Sequence, residues 1–77
     1  MKPFYSEQDL HERLLRFEQR YGLSSEEFLR LYEKSGATVA GEWVYLTVPR
    51  YGLWAVSVAD AFVWAGLCHR LGIGGGD

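Results

Sequence analysis

Apolar positions in the first third of the chain recur with a helical period. Leu10, Leu14, Phe17 and Tyr21 follow one another at spacings of four, three and four, which places them on one stripe of a helix. Ser6-Glu7-Gln8-Asp9 supplies a start: the serine hydroxyl can accept a backbone N–H three residues on, and acids suit the positive end of the helix dipole. Gly22, directly after Tyr21, suits the left-handed residue that ends a helix. The first predicted helix therefore covers residues 6–21. A second start follows at once, where Ser24 and Glu27 match a capping box and Leu23 is placed to staple onto Phe28. Phe28, Leu31 and Tyr32 continue the stripe, predicting a helix over 25–35 with Gly36 as its stop. With so short a connection the two helices must be neighbours in space.

After Gly36 the period changes. Residues 42–48, Glu-Trp-Val-Tyr-Leu-Thr-Val, are rich in β-branched and aromatic side chains, and 53–56 resume that composition across Pro49-Arg50-Tyr51-Gly52. Proline fixes φ and glycine permits φ > 0, so a β-hairpin is expected, with a longer helix as the alternative for 42–56. Trp43, Tyr45 and Thr47 would share one face and Val44, Leu46 and Val48 the other, and both faces are apolar. Two strands alone are marginal and need something to lie against. Ser57-Val58-Ala59-Asp60 is a third Ser-x-x-acid start, opening a helix over 58–71 whose Phe62, Val63, Trp64, Leu67, Cys68 and Leu71 go most of the way round. A helix apolar on nearly all sides is buried or contacts a partner. Ala61, Ala65 and Gly66 are small enough for another backbone to approach. The expectation is a single small α+β domain over 1–71, made of a two-helix hairpin, a β-hairpin and an apolar last helix, with 72–77 as a flexible glycine-rich tail.

Composition sharpens this picture. At 48% hydrophobic residues the chain is no disordered tail, and a net charge of −2 with a pI near 5.6 argues against a dedicated nucleic-acid clamp. Charge is unevenly spread. Residues 37–77 carry only Glu42, Arg50, Asp60, Arg70 and Asp77, yet hold all three tryptophans. A chain of 77 residues buries about 60% of its unfolded surface when it folds alone, so the second half raises the question of where its apolar surface goes.

Catalytic and metal-binding patterns are absent from this sequence. Cys68 is the single cysteine, with no internal disulfide partner and no placed base, and it forms no ligand spacing with His11 or His69. No catalytic residue, cofactor or metal is expected. The start carries no basic and apolar leader, and Leu53 to Cys68, interrupted by Asp60, falls short of the roughly 20 residues of a membrane span. A cytoplasmic location and no membrane association are expected. The Tyr21-Gly22-Leu23-Ser24 turn gives a helix–turn–helix alternative, a dimeric DNA-binding regulator, but Glu26 and Glu27 put negative charge where phosphates would sit. The strongest signal is the aromatic set of the second half. Trp43, Tyr45, Tyr51, Trp54 and Trp64 are the expected partner-binding residues, together with Asp60, which either caps Ser57 as the third residue of its helix or pairs with an arginine of another chain. The expected partner is a second copy of the chain or a different protein.

Two segments carry a family resemblance. Phe17-Glu18-Gln19-Arg20-Tyr21-Gly22-Leu23-Ser24-Ser25-Glu26-Glu27-Phe28, within Arg13 to Lys34, resembles the Phe-Glu-x-x-Tyr-Gly-(Met/Leu)-Ser-Ser-Glu-Glu-Phe opening of a family of small prokaryotic antitoxin-like proteins of type II toxin–antitoxin pairs. Asp60-Ala61-Phe62-Val63-Trp64-Ala65-Gly66-Leu67 is similar to the Asp-Phe-x-x-Trp-Ala-x-Leu stretch of that family's last helix. This chain has an apolar hairpin where the family has a short acidic link. The resemblance implies a protein that acts without catalysis, by covering a toxin-like partner, and it places Asp60 and Trp64 on the face of the final helix.

Overall fold

The computed structural model describes residues 6–34 and 37–73, which form three helices and a three-stranded antiparallel sheet, an α+β domain. Helix α1 spans Glu7–Tyr21, α2 Ser25–Glu33 and α3 Val58–Leu71, while β1 spans Thr38–Ala40, β2 Trp43–Val48 and β3 Gly52–Ser57. The strand order is β1-β2-β3. The helices lie on one face of the sheet and leave the other face open.

Capping residues set the helix ends. Ser6 and Asp9 exchange side-chain bonds with each other's backbone N–H groups at 3.2 and 3.3 Å, and Gly22 closes α1 at φ 71°. The Ser24 hydroxyl accepts the Glu27 N–H at 3.2 Å, but the reciprocal half of the expected capping box is not made. The Glu27 carboxylate turns instead to Arg30, and the Glu18 carboxylate takes the Ser25 N–H at 2.8 Å. Helix α2 ends at Glu33, and the expected stop at Ser35-Gly36 lies outside the described residues. Of the expected tail over 72–77, residues 74–77 lie outside the described residues, while Gly72 and Ile73 close α3. The Ile73 N–H reaches the Cys68 carbonyl at 2.9 Å and the Gly72 N–H the His69 carbonyl at 3.2 Å, the paired bonds that close a helix through a left-handed residue. The Ile73 side chain packs on the core.

The hairpin forms where the sequence places it, with a tighter turn. Val48 pairs with Gly52, so the loop is Pro49-Arg50-Tyr51, with Arg50 itself in the left-handed region at φ 74°. Strand β1 is an addition to the expected fold. It joins β2 through Gly41-Glu42, with Gly41 at φ 63°.

The core lies between sheet and helices. Val44, Leu46, Val48 and Val56 face inward against Leu14, Phe28, Leu31, Ala61, Trp64 and Leu67, all buried. Trp64 is the keystone. Its ring stacks on Phe28 at 4.0 Å between centroids, flanked by Phe17 at 5.6 Å and Tyr21 at 5.8 Å. Its indole N–H donates to the buried Ser25 hydroxyl at 2.9 Å, so the polar atom enters the core with its partner.

Candidate protein interface

The six expected partner-binding residues fall into three environments. Trp64 has no exposed surface, so it serves this chain's own core and cannot touch a partner. Helix α3 is apolar on nearly all sides, which in the sequence conceals which arc turns inward. Asp60 is likewise satisfied within the chain: it accepts from the Arg20 guanidinium at 3.1 Å and from the Tyr21 hydroxyl at 2.5 Å. The Asp60 N–H donates to the Ser57 hydroxyl at 3.1 Å, but its carboxylate neither returns the cap nor waits for an arginine of another chain: it takes one from α1, forty positions away in sequence. Burial, and after it the hydrogen bond and charge of Asp60, push the Tyr21 hydroxyl above its ordinary value. Trp54 stands on the inner face of the hairpin, half-buried, with its indole N–H donated to the Tyr21 carbonyl at the end of α1.

Trp43, Tyr45 and Tyr51 remain toward solvent. Tyr51 sits at the hairpin turn, 73% exposed and edge-on to Trp54 at 5.9 Å. Trp43 and Tyr45 lie on the outer face of the sheet, where strand register builds a continuous surface. Tyr45 is flanked by Thr38 and Ala55, Trp43 by Ala40 and Ser57, and Thr47 by Leu53. Trp43 is 47% exposed and Leu53 69%. Among the described residues this face carries no charged side chain. Glu42 and Arg50 stand in the loops at its two ends. An uncharged centre with charge at the rim is the usual anatomy of a protein–protein contact.

No protein-family model matches the chain, and neither a curated protein nor a solved structure matches it.

The chemistry of the remaining groups is quiet. Cys68 is buried, its thiol pushed up to about 11 chiefly by desolvation, so it stays protonated at neutral pH. His69 faces Glu33 at 2.7 Å on the surface between α3 and α2. Among the described residues no group of His, Cys, Asp and Glu is arranged to hold a metal ion, and no helix is long and apolar enough to cross a membrane. The start of α2, the phosphate-facing element in a helix–turn–helix reading, has Ser25 buried and its N–H taken by Glu18, with Glu26 outward.

Three features of the site were not anticipated. Leu53 and Ala55 join Trp43 and Tyr45 on the outer face, a result that hairpin register alone could have indicated. Ser25 acts as the acceptor for Trp64, and nothing in the Ser24-Ser25 pair marks the second serine for that role. Tyr21 ties three elements together through its ring, hydroxyl and carbonyl.

Proposed function

We propose that this chain is a non-catalytic protein-interaction module, antitoxin-like in action, which binds and covers a partner protein through the outer face of its hairpin. The observation that carries this reading is the uncharged face around Trp43, Tyr45 and Leu53, which no other part of the described chain covers. Aromatic anchors ringed by small residues suit a contact in which a few side chains carry most of the affinity. A catalytic role finds no support in a protonated, enclosed Cys68. The helix–turn–helix alternative gains nothing from an α2 whose N-terminal N–H is already bonded to a carboxylate.

The test uses whatever protein co-purifies with the untagged chain. The double variant Trp43→Ser/Leu53→Ser is expected to lose that partner while remaining folded, and Arg30→Ser to retain it. Retention by the double variant, with its fold intact by circular dichroism, would place the contact elsewhere. If the partner is a toxin, its growth arrest should be relieved by the wild-type chain and not by the double variant. Light scattering separates the other partner class: a dimer at micromolar concentration that the double variant converts to monomer means that a second copy covers this face.

A further inference from the structure

The two edges of the sheet differ. Its outer strands are β1 and β3, and antiparallel bonding alternates along each of them. The Val58 N–H bonded to the Glu42 carbonyl continues the β2–β3 register by one pair and fixes the phase of that alternation. Val56, Trp54 and Gly52 therefore bond β2, while Leu53, Ala55 and Ser57 turn their N–H and C=O groups away from it. By the same phase Thr38 and Ala40 bond β2, so within β1 Val39 alone turns outward. One edge is blunted by its shortness, and the other is a full strand.

Nothing on β3 closes that second edge. Natural sheets block open edges with charge, proline or a bulge. Gly52–Ser57 carries no charge and no proline, and its register with β2 runs unbroken. The Ser57 carbonyl is committed to the first turn of α3. Leu53 and Ala55 are exposed, and among the described residues no group bonds their outward N–H and C=O. The hairpin also carries opposite charges at its two ends. Arg50 stands in the turn after β2 and Glu42 in the turn before it, both exposed and neither ion-paired among the described residues. Asp60, near the Glu42 end, is already held by Arg20 and Tyr21.

We propose that β3 pairs with β3 of a second copy, antiparallel across a two-fold axis, joining two three-stranded sheets into one of six strands. A strand complements itself in that orientation. Leu53 and Ala55 of one copy exchange backbone bonds with Ala55 and Leu53 of the other, which satisfies every outward group of those two residues. The same pairing brings the Arg50 end of each hairpin beside the Glu42 end of the other copy, whereas parallel pairing would set like ends together. A foreign strand would meet the same backbone row without matching those end charges. The contact uses the edge of the sheet, so it stands whether or not the outer face is covered. Where both hold, two uncharged faces become one continuous surface.

Sedimentation equilibrium of the full chain over micromolar concentrations, combined with amide exchange, tests the pairing. A dimer is expected, and the Leu53 and Ala55 amides should be protected in proportion to the dimer present. Ala55→Pro removes an outward N–H and spares the ladder to β2. It should weaken the dimer by about tenfold or more, with the thermal midpoint as a check on folding. Independently of that variant, Arg50→Glu and Glu42→Arg should each weaken the dimer at low salt, and the two together should restore it. Trp43→Ser should leave it unchanged. A chain that stays monomeric, a dimer whose Leu53 and Ala55 amides exchange freely, or a dimer lost in Trp43→Ser and kept in Ala55→Pro would overturn the proposal. Protection of those amides only when a second protein is added would overturn it in favour of a foreign strand.

Discussion

The two faces of one sheet meet opposite surroundings here, although both are apolar. On the inner face Val44, Leu46, Val48 and Val56 are at most 5% exposed, sealed by three helices around Trp64. On the outer face Trp43 and Leu53 keep roughly half or more of their surface in water, with Tyr45 between them. Trp54 apart, the inner side chains are aliphatic and compact, and they pack against α2 and α3. The outer face mixes Trp43 and Tyr45 with Leu53 and small residues, and its Tyr and Thr hydroxyls suit water. Hydrophobicity alone does not separate the core from the open face. The separation lies in which face the helices reach.

The comparison can be broken at several points. The largest effect is expected inside. Trp64→Ala removes a ring stacked on three others and orphans the Ser25 hydroxyl, which costs about 3–5 kcal/mol or more. For a domain of this size that approaches its whole stability, and urea denaturation should show little or no cooperative transition. Next comes alkaline pH. The Cys68 thiol titrates near 9 in the unfolded chain and near 11 in the folded one, so unfolding releases its proton between those values. Its contribution is intact below pH 9 and lost as the pH rises to about 11. The shift corresponds to roughly 2–3 kcal/mol, and the raised Tyr21 hydroxyl acts in the same direction above pH 10. Cys68→Ala should flatten the fall in thermal midpoint between pH 9 and 11.

Smaller again is the cost of separating α1 from α3 at their polar contact. Asp60→Asn keeps the size of the side chain but removes the charge that Tyr21 and Arg20 hold. With Arg20 mostly exposed, about 1 kcal/mol is expected, read from the shift in denaturation midpoint. The smallest stability effect belongs to the outer face. Trp43→Ser/Leu53→Ser should change the stability of the isolated chain by no more than about 1 kcal/mol, while abolishing association through that face. A loss as large as that of Trp64→Ala would mean that the outer face is part of the chain's own core.

Much of this contrast was legible in the chain itself, and the rest was not for definable reasons. Ser6, Gly22, Ser24 and Ser57 mark helix ends within a residue because capping is local chemistry. Strand β1 was illegible because Thr38-Val39-Ala40 is too short to show alternation and owes its strand character to pairing with β2. Alternation in 43–48 separates two faces but does not say which one the helices cover. The same limit hid Trp64, whose helix is apolar all round, and Asp60, whose cation arrives from a distant helix.

The junction between the hairpin and the last helix has a mechanical consequence. Ser57 is at once the last residue of β3, opposite Trp43, and the cap of α3, while the Val58 N–H is held by the Glu42 carbonyl at 2.8 Å. With no loop between strand and helix there is no hinge. The direction in which α3 leaves the sheet is therefore set by the hairpin itself, through two backbone groups rather than through a connecting segment.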